Sequence, residues 1–113
     1  MIKWRTSKIN WHDADSEPAS FDDIIDKIRG NDLYEIHVGC DSHRVGGIYV
    51  FAIVIAGYVQ KKGGTFYFYR KKSKDKSLAT IPVRLMKEAE LALDVAHRLK
   101  VEFPFKNINV HLD

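Results

Sequence analysis

Cysteine is almost absent. Cys40 stands alone among 113 residues, which excludes an internal disulfide and points to a reducing compartment. Long apolar runs are missing as well: no stretch approaches the ~20 residues a membrane-spanning helix needs. The opening MIKWRTSKINWHD is too polar for a signal peptide, so a cytoplasmic protein is expected. Neither repeats nor low-complexity segments occur. Neither sign of charge dominates: 18 Lys and Arg against 15 Asp and Glu leave a net +3, a mild basic excess compatible with an anionic partner. What remains is one domain over residues 1–113, with an arm and short helix in 1–30 and a core in 31–113. It is large enough for a core but at the small end for an α/β fold.

Residues 1–19 read as an irregular or partly extended arm, with Trp4 and Trp11 docking on the body. SFDDIIDKIRG predicts a helix over 20–29: Ser20 is its N-cap, Asp23 its capping-box acid, Ile24, Ile25 and Ile28 its apolar stripe, and Gly30 its stop. LYEIHVGCD alternates as strand one, with Ile36, Val38 and Cys40 on one side and His37, Gly39 and Asp41 on the other. RVGG makes the turn. IYVFAIVIAGYV, nearly all apolar, is strand two and is expected to be covered on both faces. QKKGG is a hairpin loop, TFYFYRKKS strand three, and KKSKDKSLAT a basic loop. IPVRLMKEAELALDVAHRLK is the longest helix, with Thr80 as its cap and Pro82 in its first turn. FKNINVHLD alternates again as strand four.

The fold class that follows is α/β. Three consecutive strands form an antiparallel meander, and the helix crosses over so that strand four lies parallel to strand one, with an additional N-terminal helix. In that topology the carboxyl ends of strands one and four are neighbours. Asp41 and Asp113 stand at those ends, where ligands gather in such sheets. A helical wheel supplies a third acid. Val95, Ile81, Leu99, Ala92, Leu85, Ala96, Ala89, Leu93 and Met86 make one arc, and Glu88 falls inside its edge, whereas Glu90 falls on the polar arc with Asp94 and Lys87. Three converging carboxylates repel one another, and Mg²⁺ or Mn²⁺, which favour oxygen ligands, would resolve that repulsion. Plainer readings stand beside this one. Asp41 can be a turn residue, Asp113 a frayed end, and Glu88 a partner of Arg84. His37 and His111 can flank the site or simply pack, and Cys40 reads as core.

The run IHVGCDS, then GGIYVFAIVIAGYV, then MKEAELAL on a helix, then INVHLD resembles the ribonuclease H-like superfamily. More narrowly it is similar to the YkuK-type ribonuclease H-like proteins of bacteria, whose first strand carries a VG-x-DS signature. The likeness covers roughly residues 34–113. It implies two-metal-ion nuclease chemistry on RNA, DNA or a hybrid, with Asp41, Glu88 and Asp113 as catalytic acids and ligands of Mg²⁺ or Mn²⁺. The family's AEL wording matches Glu90 better; the wheel favours Glu88. Such enzymes carry a fourth acid on a later helix, and the chain stops before one, so a C-terminally truncated fragment is expected. Ser42 and His43 are candidate substrate contacts. Arg70, Lys71, Lys72 and Lys74 would hold nucleic-acid phosphates as point charges, or form a merely solvated loop. The alternative function is a non-catalytic nucleic-acid-binding or assembly module that keeps the fold. A weaker alternative is a dimerisation unit, since an unpaired sheet edge beside strand four would invite a second chain.

Overall fold

The computed structural model describes residues 11–30, 33–59 and 63–112. Trp4, residues 60–62 of the expected hairpin loop, and Asp113 lie outside them. Part of the segment expected as an arm is sheet. β1 (Trp11–Asp13) and β2 (Pro18–Ala19) pair antiparallel, Trp11 opposite Ala19. Asp13 closes the turn between them: its Oδ1 accepts the N–H groups of Asp15 and Glu17, each at 2.9 Å. Strands this short carry too few residues to show alternation, so periodicity gives no signal for them. Trp11 is buried, and its ring lies 5.5 Å from Tyr69 and 6.0 Å from Phe21.

Helix α1 (Phe21–Gly30) starts on the reciprocal cap the sequence specifies. Ser20 N–H donates to Asp23 Oδ2 at 2.9 Å, and Asp23 N–H donates to Ser20 Oγ at 3.0 Å. Then come β3 (Leu33–Val45), β4 (Ile48–Val59), β5 (Gly63–Ser73), a 3₁₀ turn (Lys76–Ala79), α2 (Ile81–Glu102) and β6 (Asn107–His111). The six strands form one sheet in the order β2-β1-β5-β4-β3-β6. β3, β4 and β5 make the antiparallel meander, and β6 lies parallel to β3.

Strand β3 is longer than the expected strand one. The ladder with β4 continues through Asp41↔Ala52, Ser42↔Phe51 and His43↔Val50 to Val45↔Ile48. Asp41 is therefore inside a strand and not at the point of reversal. The chain reverses at Gly46–Gly47, where Gly46 takes φ +62°, a conformation that costs glycine nothing. The apolar partners Tyr49, Val50 and Phe51 reward extending the ladder that far.

Both helices pack on one face of the sheet. Ile24, Ile25 and Ile28 of α1 join Leu91, Ala92, Val95, Ala96 and Leu99 of α2 over Ile36, Val38, Tyr49, Phe51, Ile53, Ile55 and Tyr67. Arg29 links the two helices by reaching Glu102 at 3.2 Å. The opposite face is uncovered among the described residues, so the expectation that β4 is covered on both faces holds for one face only. Ala52, Val54 and Ala56 are half-buried there by their neighbours, and Tyr58 and Phe66 are exposed. No helix among the described residues is long and apolar enough to cross a membrane.

Candidate metal and nucleic-acid site

Alternation along β3 sends Val38, Cys40 and Ser42 toward α2. Val38 is fully buried, Cys40 half-buried against the core, and Ser42 half-buried at the point where α2 passes above. Glu88 of α2 comes down at that point and accepts a hydrogen bond from Ser42 Oγ on its Oε2. Ser42 N–H donates to Oδ1 of the preceding Asp41 at 2.9 Å. One serine thus donates to two carboxylates, one from β3 and one from α2. Both also act on the same thiol. Burial, then the Glu88 charge, then the Asp41 charge push Cys40 up to about 12, so its sulfur stays protonated at neutral pH.

Glu90, the other helix candidate, is exposed and takes Lys87 Nζ at 3.2 Å. Arg84 does not pair with Glu88; its guanidinium lies 5.7 Å from the Tyr49 ring centroid. Asp41 is exposed. β6 ends its ladder at His111, opposite Gly39, two residues before Asp41. Asp113 lies outside the described residues. Among the described residues no group of three or more His, Cys, Asp and Glu side chains is arranged to hold a metal ion.

The two histidines form a cluster of their own. His37 Nε2 lies 2.6 Å from Glu35 Oε1, and His37 Nδ1 lies 2.7 Å from His111 Nε2. A carboxylate only accepts, so His37 carries its proton on Nε2. When both rings are neutral, His37 Nδ1 then accepts from His111 Nε2–H. His37 precedes Asp41 by four residues, about 13 Å along a strand at ~3.3 Å per residue. It therefore stands apart from the Asp41–Glu88 pair.

The basic residues divide between the two faces. Arg70, Lys71 and Lys72 belong to β5, not to a loop, opposite Ala52, Phe51 and Val50 in turn. Lys71 shares the helix side with Phe51. Arg70 and Lys72 share the other side with Asp41 and His43, and Arg70 lies 4.7 Å over the Phe68 ring. Lys74 follows the strand, exposed. Ser42, expected as a substrate contact, donates its hydroxyl to Glu88, and its parity with Val38 and Cys40 is the signal for that direction. Sequence reasoning misses a groove beneath the start of α2, with Phe51 and Lys71 on its sheet side, which has no linear signature.

A family model described as Ribonuclease H-like matches residues 20–113. No curated protein and no solved structure matches the chain.

Proposed function

Because the chain belongs to the ribonuclease H-like family, we propose that it is a metal-dependent nuclease that hydrolyses phosphodiester bonds of nucleic acid, with Asp41, Glu88 and Asp113 as its acids. The observation that carries this reading is that Ser42 donates its hydroxyl to Glu88 and its N–H to Asp41, whose side chain leaves β3 on the opposite side. The donor set fits Mg²⁺ or Mn²⁺. It consists of oxygens, the one soft ligand nearby is kept protonated, and the exposure of Asp41 leaves room for the waters such ions retain. Asp113 stands two residues beyond His111, as Asp41 stands two beyond its partner Gly39, which supports Asp113 as the third acid.

A divalent ion bound there would polarise the phosphodiester and neutralise charge that develops on it. The chain's own residues prepare that step. Asp41 and Glu88 place negative charge next to Ser42, on the two sides of β3. Ser42 fixes the orientation of both carboxylates by donating to each. Lys71, Lys72 and Lys74, with Arg70, attract and hold the polyanion. The test is incubation with end-labelled single-stranded RNA, single-stranded DNA and an RNA–DNA hybrid in Mg²⁺, in Mn²⁺ and in EDTA. Cleavage of at least one substrate is expected only with metal, and Asp41→Asn should abolish it. Cleavage that persists in EDTA would overturn the proposal.

The second reading is a non-catalytic nucleic-acid-binding or assembly module. It is favoured by the apolar side chains that α2 leaves exposed at Ile81, Leu85 and Met86. It predicts nucleic-acid affinity indifferent to Mn²⁺ and no cleavage.

A further inference from the structure

Beneath the first turns of α2 lies a groove of about 440 Å³, between the helix, the Lys76–Ala79 turn and the β4–β5 ladder. Its apolar lining is Phe51, Leu78, Val83 and Met86, and its charged lining includes Lys71, Lys87, Asp75 and Glu90. Both acids are already engaged. Asp75 Oδ1 accepts Ser77 N–H and Ser77 Oγ–H, each at 2.9 Å, which holds its carboxyl below the usual range; Glu90 takes Lys87. Lys71 forms no ion pair among the described residues. The groove therefore offers the exposed apolar side chains of Val83 and Met86 beside an uncompensated cation. A nucleotide is complementary to that combination, with an aromatic base for the apolar wall and a phosphate for the lysine.

Position ties the groove to Ser42 and Glu88. The cross-strand register runs Ser42↔Phe51↔Lys71 along the helix-facing side of the sheet. Lys71 is thus two strand spacings, about 10 Å, from the serine that orients Asp41 and Glu88. A strand whose scissile phosphate sits beside Glu88 would bring a flanking nucleotide into the groove against Met86 and its phosphate to Lys71.

We propose that this groove is a base subsite for an unpaired nucleotide next to the scissile phosphodiester, so that the substrate is single-stranded at that position. The assignment rests on the nucleic-acid reading above and deepens it. A base held in a double helix cannot enter a groove between helix and sheet, because it would have to leave its stack.

The experiment measures fluorescence anisotropy of a labelled single-stranded hexanucleotide, and of a blunt duplex of the same sequence, in EDTA so that no cleavage intervenes. The variants are Met86→Asp, Lys71→Ala and Lys100→Ala. Met86 is 73% exposed, so the aspartate folds while placing a negative charge at the groove. The single strand should bind about tenfold tighter than the duplex, and Met86→Asp should remove about that factor. Lys71→Ala should weaken binding and flatten its salt dependence by about one phosphate contact. Lys100→Ala, at the far end of α2, should bind as the parent does. Equal affinity for single strand and duplex, or parental binding by Met86→Asp, would overturn the subsite. The two proposals fail separately. A protein that binds the hexanucleotide through the groove but never cleaves it refutes the nuclease and keeps the subsite. One that cleaves equally well with Met86→Asp keeps the nuclease and refutes the subsite.

Discussion

The two halves of α2 carry similar apolar arcs and have different occupations. From Leu91 onward the helix is structural: Leu91, Ala92, Val95, Ala96 and Leu99 are buried on the sheet, and Leu99 has no exposed surface. From Ile81 to Glu90 the same kind of apolar arc leaves the sheet. Ile81 is 62% exposed and Met86 73%, and the groove opens beneath Val83 and Met86. Glu88 is the only acid of that half that reaches the sheet among the described residues, and it reaches it at Ser42. The difference teaches what a helical wheel measures. It gives the direction of a side chain, not the distance between the helix and the surface it faces.

The comparison breaks most visibly through truncation of apolar side chains. Leu99→Ala should destabilise by about 2–5 kcal/mol in urea unfolding, since it leaves a cavity in the shared core. Leu85→Ala should fall within ~0.5 kcal/mol, as for a surface change. Similar losses for the two would mean that the first half of the helix is as much a part of the core as the second.

A pH effect of intermediate size belongs to the sheet beneath Glu88. Cys40 is raised to about 12 in the fold from an ordinary 9.0. Above pH 9 the unfolded thiol ionises while the folded one does not. Its stabilising contribution is therefore complete below pH 9 and is lost as pH rises toward 12. The stability gap between the parent and Cys40→Ala should shrink over that window, read from urea midpoints at pH 8, 9, 10 and 11. A gap that stays constant would mean that Cys40 is more solvated than its packing indicates. In the folded protein at pH 8, Cys40 should also react with iodoacetamide far more slowly than free cysteine.

The smallest effect separates the two glutamates without metal. Glu88→Gln removes repulsion toward Asp41 and should leave the metal-free protein equally stable or up to ~1 kcal/mol more stable. Glu90→Gln, which loses only an exposed pair with Lys87, should change stability by less than ~0.5 kcal/mol. Marked destabilisation by Glu88→Gln would make the Ser42–Glu88 hydrogen bond a structural device.

Much of this architecture is legible in the amino-acid sequence. Clean alternation in LYEIHVGCD and NINVH, together with the cap Ser20–Asp23, specifies strands and a helix start because each rests on local geometry. The parallel approach of the last strand to the first follows from the length of the helix between them. The strand end does not follow. Asp41-Ser42-His43 looks like the start of a reversal, but the ladder with Phe51 and Val50 is a nonlocal reward that outweighs local turn preference. The division of Arg70, Lys71 and Lys72 between two faces is implicit in strand parity and hidden by their resemblance to a basic loop. The groove is illegible, since its lining comes from β4, β5, the 3₁₀ turn and α2, and only the packed chain brings these together.

The most direct test of the central claim is calorimetric titration of Mn²⁺ into the parent protein, Asp41→Asn, Glu88→Gln and Glu90→Gln. Saturable binding is predicted for the parent and for Glu90→Gln, with affinity lowered at least about tenfold in Asp41→Asn and Glu88→Gln. Loss of binding in Glu90→Gln with retention in Glu88→Gln, or no binding by the parent at millimolar Mn²⁺, would contradict it.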